Sequence, residues 1–144
     1  MKKILFVLSA LVLSLSACAD WQQTVSNSEL PVQAQTFIKK YFNMDDIRYV
    51  EKELDGLHME YHVYLKNATE IEFDHQGNLE KIDCQTAEVP AGIVPDMIVE
   101  YASTHFPQLY IMEYSIEPRH LKVELSNGLE LIFDQEGNFL RMDD

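Results

Sequence analysis

His58, Glu60 and His62 are the residues whose types and spacing come nearest to chemistry. On an extended strand the three share one face, with neighbours about 7 Å apart and the two ends about 13 Å apart. One ion cannot span both histidines of a single strand. His58 with Glu60, or Glu60 with His62, would need a third ligand from a neighbouring strand, so the triplet reads first as a solvated polar sheet face. No metal-ligand set, no cofactor and no catalytic residue is assigned. The chain has no Ser–His–Asp order, no glycine-rich phosphate loop, no paired-cysteine ligand set and no dinucleotide fingerprint. Its carboxylates are scattered through strands and turns, and no acid/base pair stands out. Asp74-His75-Gln76-Gly77-Asn78 and Asp134-Gln135-Glu136-Gly137-Asn138 hint at calcium, but they are too short and too poor in carboxylates for an EF-hand loop. They read as tight hairpin turns, the Asp bonding to the turn backbone and the Gly taking a left-handed position.

The elements that would position these residues follow from periodicity. Leu57, Met59, Tyr61, Val63 and Leu65 alternate with His58, Glu60, His62, Tyr64 and Lys66, the mark of a half-buried antiparallel strand. Thr69, Ile71 and Phe73 alternate with Glu70 and Glu72. Leu121, Val123 and Leu125 alternate with His120, Lys122 and Glu124, and Leu129, Leu131 and Phe133 continue the pattern. Asn67-Ala68 and Asn127-Gly128 punctuate these strands as hairpin turns, Asn being tolerant of positive φ. Helical spacing follows Pro31 (Val32, Phe37, Ile38, Tyr41, Phe42) and Pro90 (Ile93, Met97, Ile98, Tyr101, Phe106). Pro95 marks a helix start or a kink, and Pro107 stops the second helix.

Residues 61–83 and 121–143 align without a gap at an offset of 60, with nine identities in 23 positions. The expected fold class is therefore α+β. Two tandem repeats, 30–84 and 89–144, would each be a helix followed by an antiparallel meander of about four strands, the helices packed on one sheet face. The second helix should be the longer.

Met1-Lys2-Lys3, the apolar run Ile4–Leu15 and the small residues that follow read as an export signal over 1–18. Leu15-Ser16-Ala17-Cys18 resembles a lipobox, making Cys18 a lipidation candidate. Ala17-Cys18-Ala19 also suits ordinary signal peptidase, which would release a soluble chain. The lipobox needs a cysteine at one specific place and finds it, which favours lipidation. Residues 19–29, polar apart from Trp21 and Val25, read as a flexible tether. Cys84, the only other cysteine, reads as a structural residue rather than a nucleophile. The formal charge is −13, and loss of the leader's Lys2 and Lys3 makes it −15. Such acidity argues against nucleic acid, leaves a membrane contact only through an N-terminal lipid, and favours basic proteins or peptides.

The frame V89-P90-A91-G92-I93, then His105-Phe106-Pro107, then V123-E-L-x-N-G128 and F133-D-x-x-G-N138 resembles the PepSY-like family of periplasmic proteins. The resemblance covers about 29–144. The first half departs from it, with Ala68 where Gly is preferred and no Phe-Pro stop. It implies a fold like that of the β-lactamase inhibitor protein and a non-catalytic, exported binding or inhibitory module, with inhibition of a protein or peptidase as one form of that role. The expected partner is another envelope protein or peptide. The expected contact face comprises His58, Glu60, His62 and Tyr64, then Glu72, then His120, Lys122 and Glu124, then Glu130 and Ile132, with Tyr110 and Tyr114 as added aromatic anchors. The alternative is a structural or assembly component held at the membrane; a metal carrier or an enzyme is less favoured.

Overall fold

A computed structural model describes residues 21–143. The leader and the processing of Cys18 lie outside the described residues. In chain order the elements are β1 (Trp21–Val25), α1 (Val32–Tyr41), β2 (Ile47–Asp55), β3 (His58–Leu65), β4 (Glu70–Asp74), β5 (Leu79–Asp83), α2 (Asp96–His105), β6 (Ile111–Ile116), β7 (Leu121–Leu125), β8 (Glu130–Phe133) and β9 (Phe139–Asp143).

The expectation of two helix-plus-meander repeats is corrected. The strands form one nine-stranded antiparallel sheet in the order β1 to β9, and among the described residues α-helix is confined to two segments of ten residues. The physical reason is the edge. Separate meanders would leave β5 and β6 with rows of unpaired backbone groups. They pair with each other instead, Lys81 opposite Ser115, Ile82 opposite Tyr114 and Asp83 opposite Glu113. Two further bonds extend the seam, Cys84 N–H to the Met112 carbonyl and Val89 N–H to the Ile111 carbonyl, both 2.9 Å.

The tether expectation fails over 21–29. Trp21–Val25 pairs along its whole length with β2, and a capping box joins Ser26 to Glu29. All but Val25 of this edge strand is exposed. Backbone pairing rather than burial holds it, so it carries no hydrophobic period.

Each helix starts directly after a proline, Pro31 or Pro95, whose missing N–H is not needed there. The helices are equal in length, not longer in the second half; the extra residues from Val89 to Val94 precede α2. Each buries residues four apart, Ala34 with Ile38 and Ile98 with Ala102. Beneath them lie Phe73 and Phe133, both fully buried. Phe37 meets Phe73, and Tyr101 meets Phe133, edge-on with ring centres 5.5 Å apart. Each fully buried Phe contributes roughly 1.5–3 kcal/mol. Cys84 is a buried free thiol.

At the β3–β4 and β7–β8 turns the Asn side chain accepts from a backbone N–H two residues on, Thr69 or Leu129, at 3.1 Å. The positive φ falls not on Asn67 but on Ala68 (70°), matching Gly128 (87°). A left-handed Ala is strained by about 1 kcal/mol. Ala68→Gly should therefore raise the unfolding free energy by roughly 1 kcal/mol in urea melts; a loss of stability would show the turn is not strained.

Gly77 serves a different purpose. A Cβ there would lie 2.8 Å from the Ala34 backbone N and 2.8 Å from Pro31 Cβ, whereas at Gly137 the nearest atom is Met97 Cβ at 3.5 Å. Both glycines have positive φ. Gly77→Ala should lower the thermal midpoint clearly more than Gly137→Ala, because only the first pries the β4–β5 turn off the start of α1. Equal losses would show that backbone conformation alone matters.

Candidate functional site

Directly paired residues in an antiparallel sheet point to the same face. One face carries the core and the helices. The other assembles polar residues from all nine strands. Along one row, Thr24, Glu51, His62, Glu72, Lys81 and Ser115 are successive cross-strand neighbours, continuing through Lys122 and Ile132 to Arg141. A second row runs from Tyr49 and Tyr64 through Glu70, Asp83, Glu113 and Glu124 to Glu130 and Asp143. Carboxylates dominate the second row, whereas the first mixes Glu51 and Glu72 with Lys81, Lys122 and Arg141.

His62 sits at the densest point. Its Nδ1 is 3.2 Å from Glu70 and 4.0 Å from Glu72, and its Nε2 is 3.5 Å from Glu53 and 3.7 Å from Glu60. The imidazole is only 14% exposed, and its Nε2 is buried without a hydrogen-bond partner. Tyr64 stacks on Tyr49 with ring centres 4.5 Å apart and lies opposite Glu70 across the β3–β4 pair. Burial, and then the Glu70 carboxylate, push that phenol far above its ordinary range.

A second cluster straddles the β5–β6 seam. Glu113, buried in mid-face, takes Lys81 at 3.1 Å and Lys122 at 3.8 Å, and Lys122 also bonds Glu130 at 3.0 Å. Burial opposes the charge on both lysines, but their glutamate partners outweigh it and raise both. A polar groove of about 260 Å³ passes over this cluster, lined by Glu72, Lys81, Glu113, Ser115 and Lys122.

Of the expected face residues, Glu60, His62, Tyr64 and Glu72 meet in the first cluster, and Lys122 and Glu130 in the second. His58 is exposed at the start of β3 and is not among the groups around His62. His120 pairs with Glu117 at 3.0 Å. Glu124 lies opposite Glu113 and Glu130. Ile132 is on this side but only 2% exposed, between the strands of Lys122 and Arg141, so it offers no contact surface. Tyr114 is also no anchor: it is 4% exposed and faces the core. Tyr110 is exposed, its hydroxyl donating to the Thr86 carbonyl at 2.9 Å. Glu53, Glu70, Lys81 and Glu113 were missed, because their place depends on which strand lies beside which. The alternation of Tyr49, Glu51 and Glu53 with Val50, Lys52 and Leu54 was the available signal for β2.

The turn aspartates are spent locally. Asp74 Oδ1 accepts from Gln76 N–H and Asn78 N–H, both 2.8 Å, and its Oδ2 from the Asn78 amide at 2.8 Å. Asp134 repeats this with Glu136 and Asn138. Burial raises Asp74, but the bonds from Asn78, Gln76 and Gly77 outweigh it and leave it low. Asp134 is low chiefly because of its bonds from Asn138. On the acidic face the shifts are opposite. Burial, then neighbouring carboxylates, raise Glu80 and Glu124. Burial also raises Glu72, with His62 and Lys81 pulling it partly back.

These directions fix the pH dependence. A carboxyl raised in the folded state binds its proton there first, so stability grows as pH falls through that value. A depressed carboxyl stabilises above its unfolded value and loses that contribution as pH falls through its folded one. The thermal midpoint should rise from pH 7 to about pH 5 and fall below about pH 4. A steady decline from pH 7 downward in scanning fluorimetry would contradict the shifts on Glu72, Glu80 and Glu124.

The family described as "Putative beta-lactamase-inhibitor-like, PepSY-like" matches residues 59–141. Three solved structures are similar. A "putative periplasmic protein" of the DUF2874 family from Bacteroides vulgatus is 31% identical with a TM-score of 0.81, covering 85% of this chain and 97% of that one. A "putative calcium-regulated periplasmic protein" from Bacteroides thetaiotaomicron is 32% identical with a TM-score of 0.81 and the same coverage. A "putative periplasmic protein of unknown function" from Bacteroides vulgatus is 30% identical with a TM-score of 0.81, covering 88% of this chain and all of that one. Among curated proteins, none matches the sequence.

Proposed function

The chain belongs to the PepSY-like, β-lactamase-inhibitor-like family, and from that premise we propose that it is an exported, non-catalytic binding module of the bacterial envelope whose open sheet face takes a basic protein or peptide surface. The observation that carries this reading is the uncovered face, where carboxylates from most of the strands stand in rows. Family membership and the periplasmic description of its relatives support an envelope location, as does the basic-then-apolar leader. Inhibition of a peptidase or other enzyme is one form such binding would take, and anchoring through Cys18 would hold the face near a membrane.

A charged rim mainly raises the on-rate and selects the partner, while desolvated groups set the residence time. Here the half-buried clusters at His62 and Glu113 supply the second kind, and Glu124 with its neighbours the first. Calcium regulation is named for one relative only. In this chain the aspartates of the two turns already accept three hydrogen bonds each, so they are not a ready calcium site.

Reversing Glu60 and Glu124 together to Lys should abolish capture of the natural partner from a periplasmic extract, and raising salt should weaken capture by the unaltered protein. Capture that persists in the double variant would remove this face from consideration.

A further inference from the structure

We propose that His62, Glu70 and Glu72 form a binding site for a zinc-class divalent ion on the open face of the sheet. Among the described residues these three bring one ligand atom each to within 4.8 Å of one another. Nδ1 of His62 lies 3.2 Å from Glu70 and 4.0 Å from Glu72. A tetrahedral centre with bonds of about 2.0–2.2 Å needs ligand atoms roughly 3.3–3.5 Å apart, so small side-chain rotations close the site and leave one position for water. His62 and Glu72 are cross-strand partners, and Glu70 extends from the same strand as Glu72, so three rigid strand positions preorganise the set.

The histidine is the independent observation that makes this more than a cluster of acids. Its other nitrogen, Nε2, is buried with no hydrogen-bond partner. It nevertheless faces Glu53 at 3.5 Å and Glu60 at 3.7 Å. A metal-bound imidazole normally donates its second N–H to a carboxylate. With the ion on Nδ1, the proton resides on Nε2, and Glu53 and Glu60 become its acceptors. Four carboxylates around one ring also leave excess negative charge, since Lys81, the cation beside Glu72, is engaged by Glu113 at 3.1 Å. An imidazole with two carboxylates suits zinc and its neighbours in the transition series. Calcium, which seeks six to eight oxygens, is a poor match.

The site lies within the face read above as partner-binding, but its test contains no partner, so either idea can fail alone. Protein purified after export is stripped with chelator and titrated calorimetrically with zinc, and separately with calcium and magnesium. The expected result is one saturable zinc site per chain that a hundredfold excess of calcium does not empty. His62→Asn and Glu72→Gln should each weaken zinc by about 100-fold or more, and Glu53→Gln by roughly 10-fold. Absence of saturable zinc binding, unchanged affinity in His62→Asn, or displacement by equimolar calcium would overturn the proposal. Should a variant fail to fold, nitrogen NMR of the unaltered protein decides. A zinc-induced shift of the His62 Nδ1 resonance supports the site, and shifts confined to the other histidines overturn it.

Discussion

The structure depends on one seam, the pairing of β5 with β6. Without it the chain would hold two small sheets, each with a bare edge and a modest core. With it, Ile82 and Tyr114 meet on the buried side, joining the layers around Phe73 and Phe133. On the wet side the same pairing brings Lys81 to Glu113 and carries the polar rows from one half of the chain to the other. Smaller bonds brace it. The Tyr110 hydroxyl reaches the Thr86 carbonyl, and the Tyr41 hydroxyl at the end of α1 reaches the Gly92 carbonyl, both at 2.9 Å.

The two faces then divide the energetic work. The apolar face, covered by both helices, provides the burial that offsets chain entropy. The acidic face opposes folding through mutual repulsion and partial burial, visible in the raised carboxyls of Glu72, Glu80 and Glu124. Lys81 and Lys122 relieve this around Glu113, but among the described residues no lysine forms an ion pair with Glu53, Glu60, Glu70 or Glu72. Surface charge of this kind adds little stability even when paired. The carboxylates of this face therefore contribute little to holding the sheet together.

Much of this was legible in the sequence where burial imposes a period. Val63, Ile71, Val123 and Leu131 announce their strands, and the Asp–Gly–Asn turns announce their hairpins, with hydrogen bonds to match. Strand β1 was not legible, because an exposed edge strand held by backbone pairing needs no apolar pattern. The single continuous sheet was not legible either. Similarity between 61–83 and 121–143 says nothing about whether β5 and β6 pair, since that choice rests on backbone groups common to every residue. The face residues show the same limit. Alternation put Glu60, His62 and Tyr64 on one side, but only the register brings Glu53, Glu70 and Glu72 around His62. Ile132 has the right parity for the wet face and is still buried, because neighbouring strands hide it.

The most direct test of the account is native-state amide hydrogen exchange across the seam. If β5–β6 pairing makes one cooperative sheet, central amides of β3 and β7 should exchange through the same opening, with equal free energies, and the amides of Cys84 and Val89 should be protected with them. Exchange in which β6 to β8 opens at distinctly lower free energy while β2 to β4 stays closed would contradict it.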